Sequence, residues 1–218
     1  MRTRALLAGL ILAATTAFAQ DPAVTTHPDA VPEELAAPLK ALVADGGARV
    51  TIGARVLDFW WTRGLPLAGA AGDAPAWSLV EEGTLVGVVR VAAPSKDIRG
   101  RTIKPGVYTL RYGLQPQNGD HLGASANRDF LLLAPAAADS EAGPTGHDGA
   151  IVQAKKTLGT SHPANWSLDP PVTTAAAGSI VHTESGMLSV VVQVPMTRDG
   201  KPAGQLAFGL VVVGEVQP

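Results

Sequence analysis

The chain of 218 residues contains no cysteine, which excludes disulfides, thiol chemistry, iron–sulfur clusters and cysteine-based zinc sites. Charged residues are sparse, at 17% against 46% hydrophobic, so the chain is not a disordered, solvating polymer. With 17 Lys and Arg against 19 Asp and Glu, it lacks the basic excess of a nucleic-acid binder. No apolar run reaches the roughly 18 residues of a membrane-spanning helix. Aromatic residues are few, at 5%, which is poor for a stacking platform that binds carbohydrate. Missing too are a G-x-S-x-G elbow, an H-E-x-x-H pair, a P-loop and a G-x-G-x-x-G turn, so no hydrolase or nucleotide-binding class is supported.

What is present begins with an export signal. Arg2 and Arg4 precede an apolar stretch from Leu6 to Phe18, and Ala17-Phe18-Ala19 is an A-x-A cleavage site. Residues 1–19 are therefore expected to be a signal peptide, with Gln20 the first mature residue. The product is expected in the periplasm or outside the cell, with no membrane span and no lipid anchor. Loss of Arg2 and Arg4 leaves 15 basic residues against 19 acidic ones, a net charge of −4.

Gly (24) and Pro (17) punctuate the rest, as suits many turns and few long helices. Residues 20–48 read as a polar leader followed by a short helix over Glu33 to Asp45, with Leu35, Leu39, Leu42 and Val43 on one face. Pro38 sits badly inside that helix and suits its first turn better. From residue 49 the period changes to two. Strands are expected at Val50–Ile52, Val56–Trp61, Trp77–Val80, Leu85–Ala92, Val107–Leu114, Phe130–Ala134, Ile180–Thr183, Met187–Pro195 and Gln205–Val213. Tyr108, Leu110, Tyr112 and Leu114 share one face of their strand, with Thr109 and Arg111 on the other. Thr197 to Pro202 predicts a hairpin turn centred on Asp199-Gly200, and a second helix is expected from Gly149 to Leu158, stopping at Gly159. Residues 136–149 read as a surface loop. The sum is an all-β domain over 49–218: a single β-sandwich, immunoglobulin-like or jelly-roll-like, with two short helices, or failing that an open or distorted barrel.

Three groups of residues are candidates for function. His121, His147, His162 and His182 lie in or beside expected loops and strand ends, with Asp120 adjacent; neutral imidazole with carboxylate suits copper or zinc. The competing reading is four separate histidines bracing loops. A second group is Arg99, Arg101, Lys104, Arg111 and Arg128 among Asp97, Asp120 and Asp129. These arginines either clamp the loop 115–127 through bidentate Arg–Asp pairs or build an anion site, with Arg111, Arg128 and Asp129 as binding candidates. Third, Trp60 and Trp61 are neighbours on a strand and must point to opposite faces, so one fills the core while the other is exposed or loop-covered. Glu81-Glu82 reads as a solvated connection, and Asn165-Trp166-Ser167 as a chance glycosylation sequon.

The segments Leu57-Asp58-Phe59-Trp60-Trp61, Asp97-Ile98-Arg99-Gly100-Arg101-Thr102-Ile103-Lys104-Pro105-Gly106-Val107-Tyr108-Thr109-Leu110-Arg111-Tyr112, Arg128-Asp129-Phe130-Leu131-Leu132-Leu133 and Ser161-His162-Pro163 resemble those of a set of exported bacterial proteins of no established function. The resemblance implies a secreted bacterial β-rich protein and no activity. Pro105 to Tyr112, followed by Gly119-Asp120-His121, is also similar to a strand and loop of CopC-type periplasmic copper-resistance proteins, whose immunoglobulin-like sandwich binds copper. Those proteins read Asp-Gly-His where this chain has Gly-Asp-His, and use an N-terminal His where the mature chain would begin with Gln20. That likeness implies a metal role for His121 with Asp120 only. The functional expectations are a noncatalytic binding or accessory protein of the bacterial envelope, with an envelope protein or small ligand as partner; a copper or zinc carrier using His121 with some of His147, His162 and His182; or an enzyme of unrecognised class built on Asp120, His121 and Arg128.

Overall fold

The computed structural model describes residues 21–69, 76–116, 127–170, 175–182 and 187–213. Among them are thirteen strands: β1 (Ala23–His27), β2 (Gly47–Ile52), β3 (Arg55–Trp61), β4 (Leu65–Pro66), β5 (Leu85–Val91), β6 (Ser95–Lys96), β7 (Thr102–Ile103), β8 (Gly106–Leu114), β9 (Asp129–Pro135), β10 (Asn165–Asp169), β11 (Ile180–His182), β12 (Leu188–Arg198) and β13 (Lys201–Val213). Two helices accompany them, α1 (Ala37–Lys40) and α2 (Gly146–Leu158).

One sheet runs β1-β2-β3-β5-β8-β9-β10-β13-β12-β11, with β4 added in parallel beside β12 and β6-β7 as a separate ribbon. The first six strands form an antiparallel meander. β10 then serves both halves: Asn165, Trp166 and Ser167 pair with β9, whereas Leu168 and Asp169 pair with β13. The sheet curls there, and its two inner faces close on one core. Phe59, Leu110, Tyr112 and Leu131 from the first half meet Val190, Val192, Leu206, Phe208 and Leu210 from the second. The all-β class, the facing inner surfaces and the two short helices expected from the sequence are all present.

Strand alternation explains most of this. On β8, Tyr108, Leu110 and Tyr112 enter the core while Thr109 and Arg111 take the outer face. In the β12–β13 hairpin Val190, Val192 and Val194 stand opposite Leu210, Phe208 and Leu206. Asp199 and Gly200 both have positive φ, as a two-residue turn between twisted strands requires.

The structure departs from the sequence reading at several places. The polar leader contains β1, whose residues pair with β2 from Ala23↔Thr51 to His27↔Gly47. Residues 76–79 form a 3₁₀ turn rather than a strand, with the Val80 amide donating to the Trp77 carbonyl at 3.0 Å; Trp77 lies flat on Tyr112, ring centres 4.8 Å apart. The first helix is a single turn with Pro38 in its opening positions. Finally β10, which carries the sequon, is buried: Trp166 is in the core and its indole N–H donates to the Lys96 carbonyl at 2.9 Å.

Two outer layers cover the meander. The α1 segment brings Leu35, Leu39 and Val43 over Trp60, Leu85 and Val88. Helix α2 sets Ala150 and Ala154 on Leu132 of β9. What fixes α2 is Arg111, whose side chain is 1% exposed. Its Nε and Nη2 donate to the two Asp139 oxygens at 2.7 and 2.8 Å, and its remaining N–H groups reach the carbonyls of Gly83, Glu141 and Gly143. Thr109 Oγ1 donates to Asp139 at 2.6 Å. Arg111 therefore clamps the chain leading into α2, and not the loop 115–127. The 136–149 stretch carries this buried carboxylate and is no simple surface loop.

Burial pushes the Asp139 carboxyl up, but the bonds from Arg111 and Thr109 outweigh it and hold the group below the usual carboxylate range. A lowered carboxyl pKa adds stability above the unfolded-state value of about 3.9, lost as pH falls through the lower, folded value. Arg111→Met leaves Asp139 buried without its counter-ion and is expected to lower unfolding stability by about 3–5 kcal/mol at pH 7 in urea titrations. The gap from the wild type should narrow in acid.

Candidate functional site

Helix α2, the sheet beneath it and two turns enclose a cavity of about 250 Å³. His147, Ile151 and Lys155 line it at i, i+4 and i+8 on one helix face, together with Asp148. Phe130 rises from β9, Gln115 and Pro116 follow β8, Ile98 and Arg99 come from the β6–β7 turn, and Ser161, His162, Pro163, Asn165 and Ser167 close the remaining side.

Local structure holds each polar group. In the β6–β7 turn, Asp97 Oδ1 accepts the backbone amides of Arg99 and Arg101 at 3.0 and 2.8 Å, an Asx-type arrangement that fixes the chain at Arg99. The Ile98 amide donates to the Asn165 carbonyl at 3.1 Å, docking the turn on β10. Arg99 Nη1 lies 3.2 Å from His162 Nδ1. A guanidinium has no acceptor, so Nδ1 accepts, and the neutral ring carries its proton on Nε2. His147 is turned the other way: its Nδ1 stands 2.6 Å from Glu82 Oε2 and donates to it. Glu82 also accepts the Leu114 amide at 3.0 Å. Gly83, the next residue, has positive φ, and a Cβ there would stand 2.4 Å from Thr145 Oγ1. Only glycine lets the Glu82 turn approach the start of α2 this closely.

The cavity is thus apolar along Ile98, Phe130 and Ile151 and cationic through Arg99 and Lys155, with the His147 and His162 rings and, among the described residues, one lining carboxylate, Asp148. Of the predicted site residues, His147 and His162 come together here. His182 stands exposed on β11, the last strand of the sheet order. His121 and Asp120 lie outside the described residues. Arg128 donates to the Gln115 carbonyl at 2.8 and 3.1 Å, beside the cavity rim, and Asp129 accepts the Tyr112 hydroxyl at 2.7 Å. Burial, with Asp129 adding to it, raises the Tyr112 phenol well above its ordinary pKa. Trp60 and Arg111 reach no solvent and hold the fold, while Trp61 lines a different cavity. Among the described residues no group of three or more His, Asp or Glu side chains is placed to hold a metal ion.

Sequence reasoning did not single out Lys155, Ile151 or Phe130, and it read Glu82 as part of a solvated connection, whereas the Glu82 carboxylate is held by His147 and the Leu114 amide. The helical spacing from His147 to Lys155 was the only available signal, whereas Glu82 and His147 are 65 residues apart. Comparison with protein-family models, curated proteins and solved structures finds no match.

Asp97 yields a test of how the turn is held. Burial raises its carboxyl pKa, and the amide bonds of Arg101 and Arg99 only partly offset this. A raised carboxyl pKa means that ionisation weakens the fold above that pKa, a penalty that fades as pH falls through it. Asp97→Asn keeps an acceptor for both amides, so it should resist urea at least as well as the wild type at pH 7, with the difference closing in acid. Asp97→Ala loses both bonds and should cost about 1–3 kcal/mol.

Proposed function

We propose that the protein is an exported, noncatalytic binding protein of the bacterial envelope that holds a small amphipathic anion in the α2 cavity. The observation that carries this reading is the pairing of an apolar wall, Ile98, Phe130 and Ile151, with Arg99 and Lys155 around one concave space. An aromatic or branched body would bury against the wall, and a carboxylate or similar head would meet the Arg99 guanidinium and the Lys155 ammonium. Asp148 disfavours a dianion by placing a like charge at the rim.

The matched probes 2-naphthoate and 2-naphthamide test this by calorimetry at pH 7. The acid is expected to bind and the neutral amide to bind about tenfold more weakly, since a charge-assisted hydrogen bond contributes about 1.5–3 kcal/mol. Arg99→Ala with Lys155→Ala should remove the preference. Equal binding of both probes, unaffected by the double substitution, would overturn the anion reading.

A copper or zinc carrier is the second reading, supported by His147 and His162 lining the same cavity. Arg99 beside His162 opposes it, because a guanidinium repels a bound cation. This reading expects one-to-one Zn(II) or Cu(II) binding by calorimetry that His147→Ala and His162→Ala each abolish.

A further inference from the structure

A sheet that curls without closing has two ends, and here the ends approach each other. The order begins at β1 and finishes at β11, and no ladder of the described residues joins them. Gly178 donates its amide to the Val191 carbonyl on β12, and a Cβ on Gly178 would stand 3.9 Å from Val24 Cγ1 on β1. The segment leading into β11 therefore passes close to Val24 of β1, and among the described residues no strand ladder spans the gap.

Beside that gap is a second cavity, of about 400 Å³. Val24, Phe59 and Trp61 line it from the first half of the sheet, and Val190, Val192 and Leu210 from the second. Among the described residues no Asp, Glu, Lys, Arg or His lines it; its polar lining residues are Thr25, Thr26 and Gln193, all exposed, at the mouth. Small residues, Ala48, Ala177 and Gly178, add little bulk to its lining. Protein cores seldom leave voids larger than a water molecule, so an apolar space of this size is not ordinary packing. The volume also falls within the range of small-ligand sites, about 300–1,000 Å³.

We propose that this seam is a ligand site for an aliphatic chain, separate from the α2 cavity, entered between β1 and the 177–178 segment. The occupant is one elongated hydrocarbon body whose polar end stays at the threonine-lined mouth. Burial of apolar surface drives its binding. Charge contributes nothing inside, because the lining offers none.

Titration of the full folded protein with 1-octanol, followed by the methyl resonances of Val190, Val192 and Leu210, tests the proposal, with 1,4-butanediol as the polar control. Saturable shifts at these methyls with octanol and none with the diol are expected, together with a rise in Tm. Ala177→Trp and Thr26→Trp both place an indole at exposed positions of the mouth, so either can be used if the other folds poorly. Each is expected to weaken octanol binding by about tenfold or more. Arg99→Ala with Lys155→Ala should leave it unchanged, which separates this site from the anion reading. Absence of saturable shifts up to the solubility limit, shifts unaltered by both mouth substitutions, or binding abolished by the Arg99 and Lys155 changes would each overturn it.

Discussion

A guanidinium cut off from solvent must find partners for five N–H groups, and Arg111 finds them in Asp139 and in three backbone carbonyls from two separate stretches of the chain. Gly83 belongs to the turn before β5; Glu141 and Gly143 belong to the chain entering α2. Drawing these to one point on the outer face of β8 sets where α2 begins. The ion pair is a poor source of net stability compared with a packed apolar replacement, since both charges lose their hydration. Its geometry, however, admits one arrangement of the surrounding carbonyls, and the position of the helix follows from it.

From that anchor the α2 cavity follows. Once Gly83 lies against Thr145, Glu82 is carried to the side of His147, and the rest of the helix lies along β9 through Ala150 and Ala154. Small side chains at the contact bring the helix close to the sheet. The larger Ile151 and Lys155, together with His147, are then turned toward the gap bounded by the β6–β7 turn. That turn is held in the same manner, by a buried carboxylate gathering backbone amides, so the arginines and aspartates of this chain act mainly as braces. Arg99 differs: its backbone is fixed by Asp97 while its side chain remains at the cavity.

The strands most legible in the sequence are those whose alternation is long and strict. Val107–Leu114 could be read with its faces and the β12–β13 hairpin with its turn, because a period of two over eight or more residues has no competing explanation and Asp199-Gly200 marks the turn. β10 was not legible. Its five residues, Asn165 to Asp169, alternate too briefly to stand out, and its role comes from pairing with two different strands. β1 was masked by its threonines, polar residues that nevertheless favour an extended chain once β2 offers a partner. Trp77–Val80 was read as a strand, but stacking on Tyr112 only requires a ring at that place, and a 3₁₀ turn delivers it.

The sequence by itself determined the class of fold, the inward and outward faces of the long strands, and the candidate chemistry of the histidines and arginines. Those properties reside in local periodicity and residue type. Only the tertiary structure decided which of these groups meet: His147 with Glu82, Arg99 with His162, Arg111 with Asp139 and not with the acidic residues nearest in sequence. Partners separated by 28 to 65 residues are chosen by the curl of the sheet and by which carbonyls and carboxylates it leaves buried, and no short-range pattern encodes that choice.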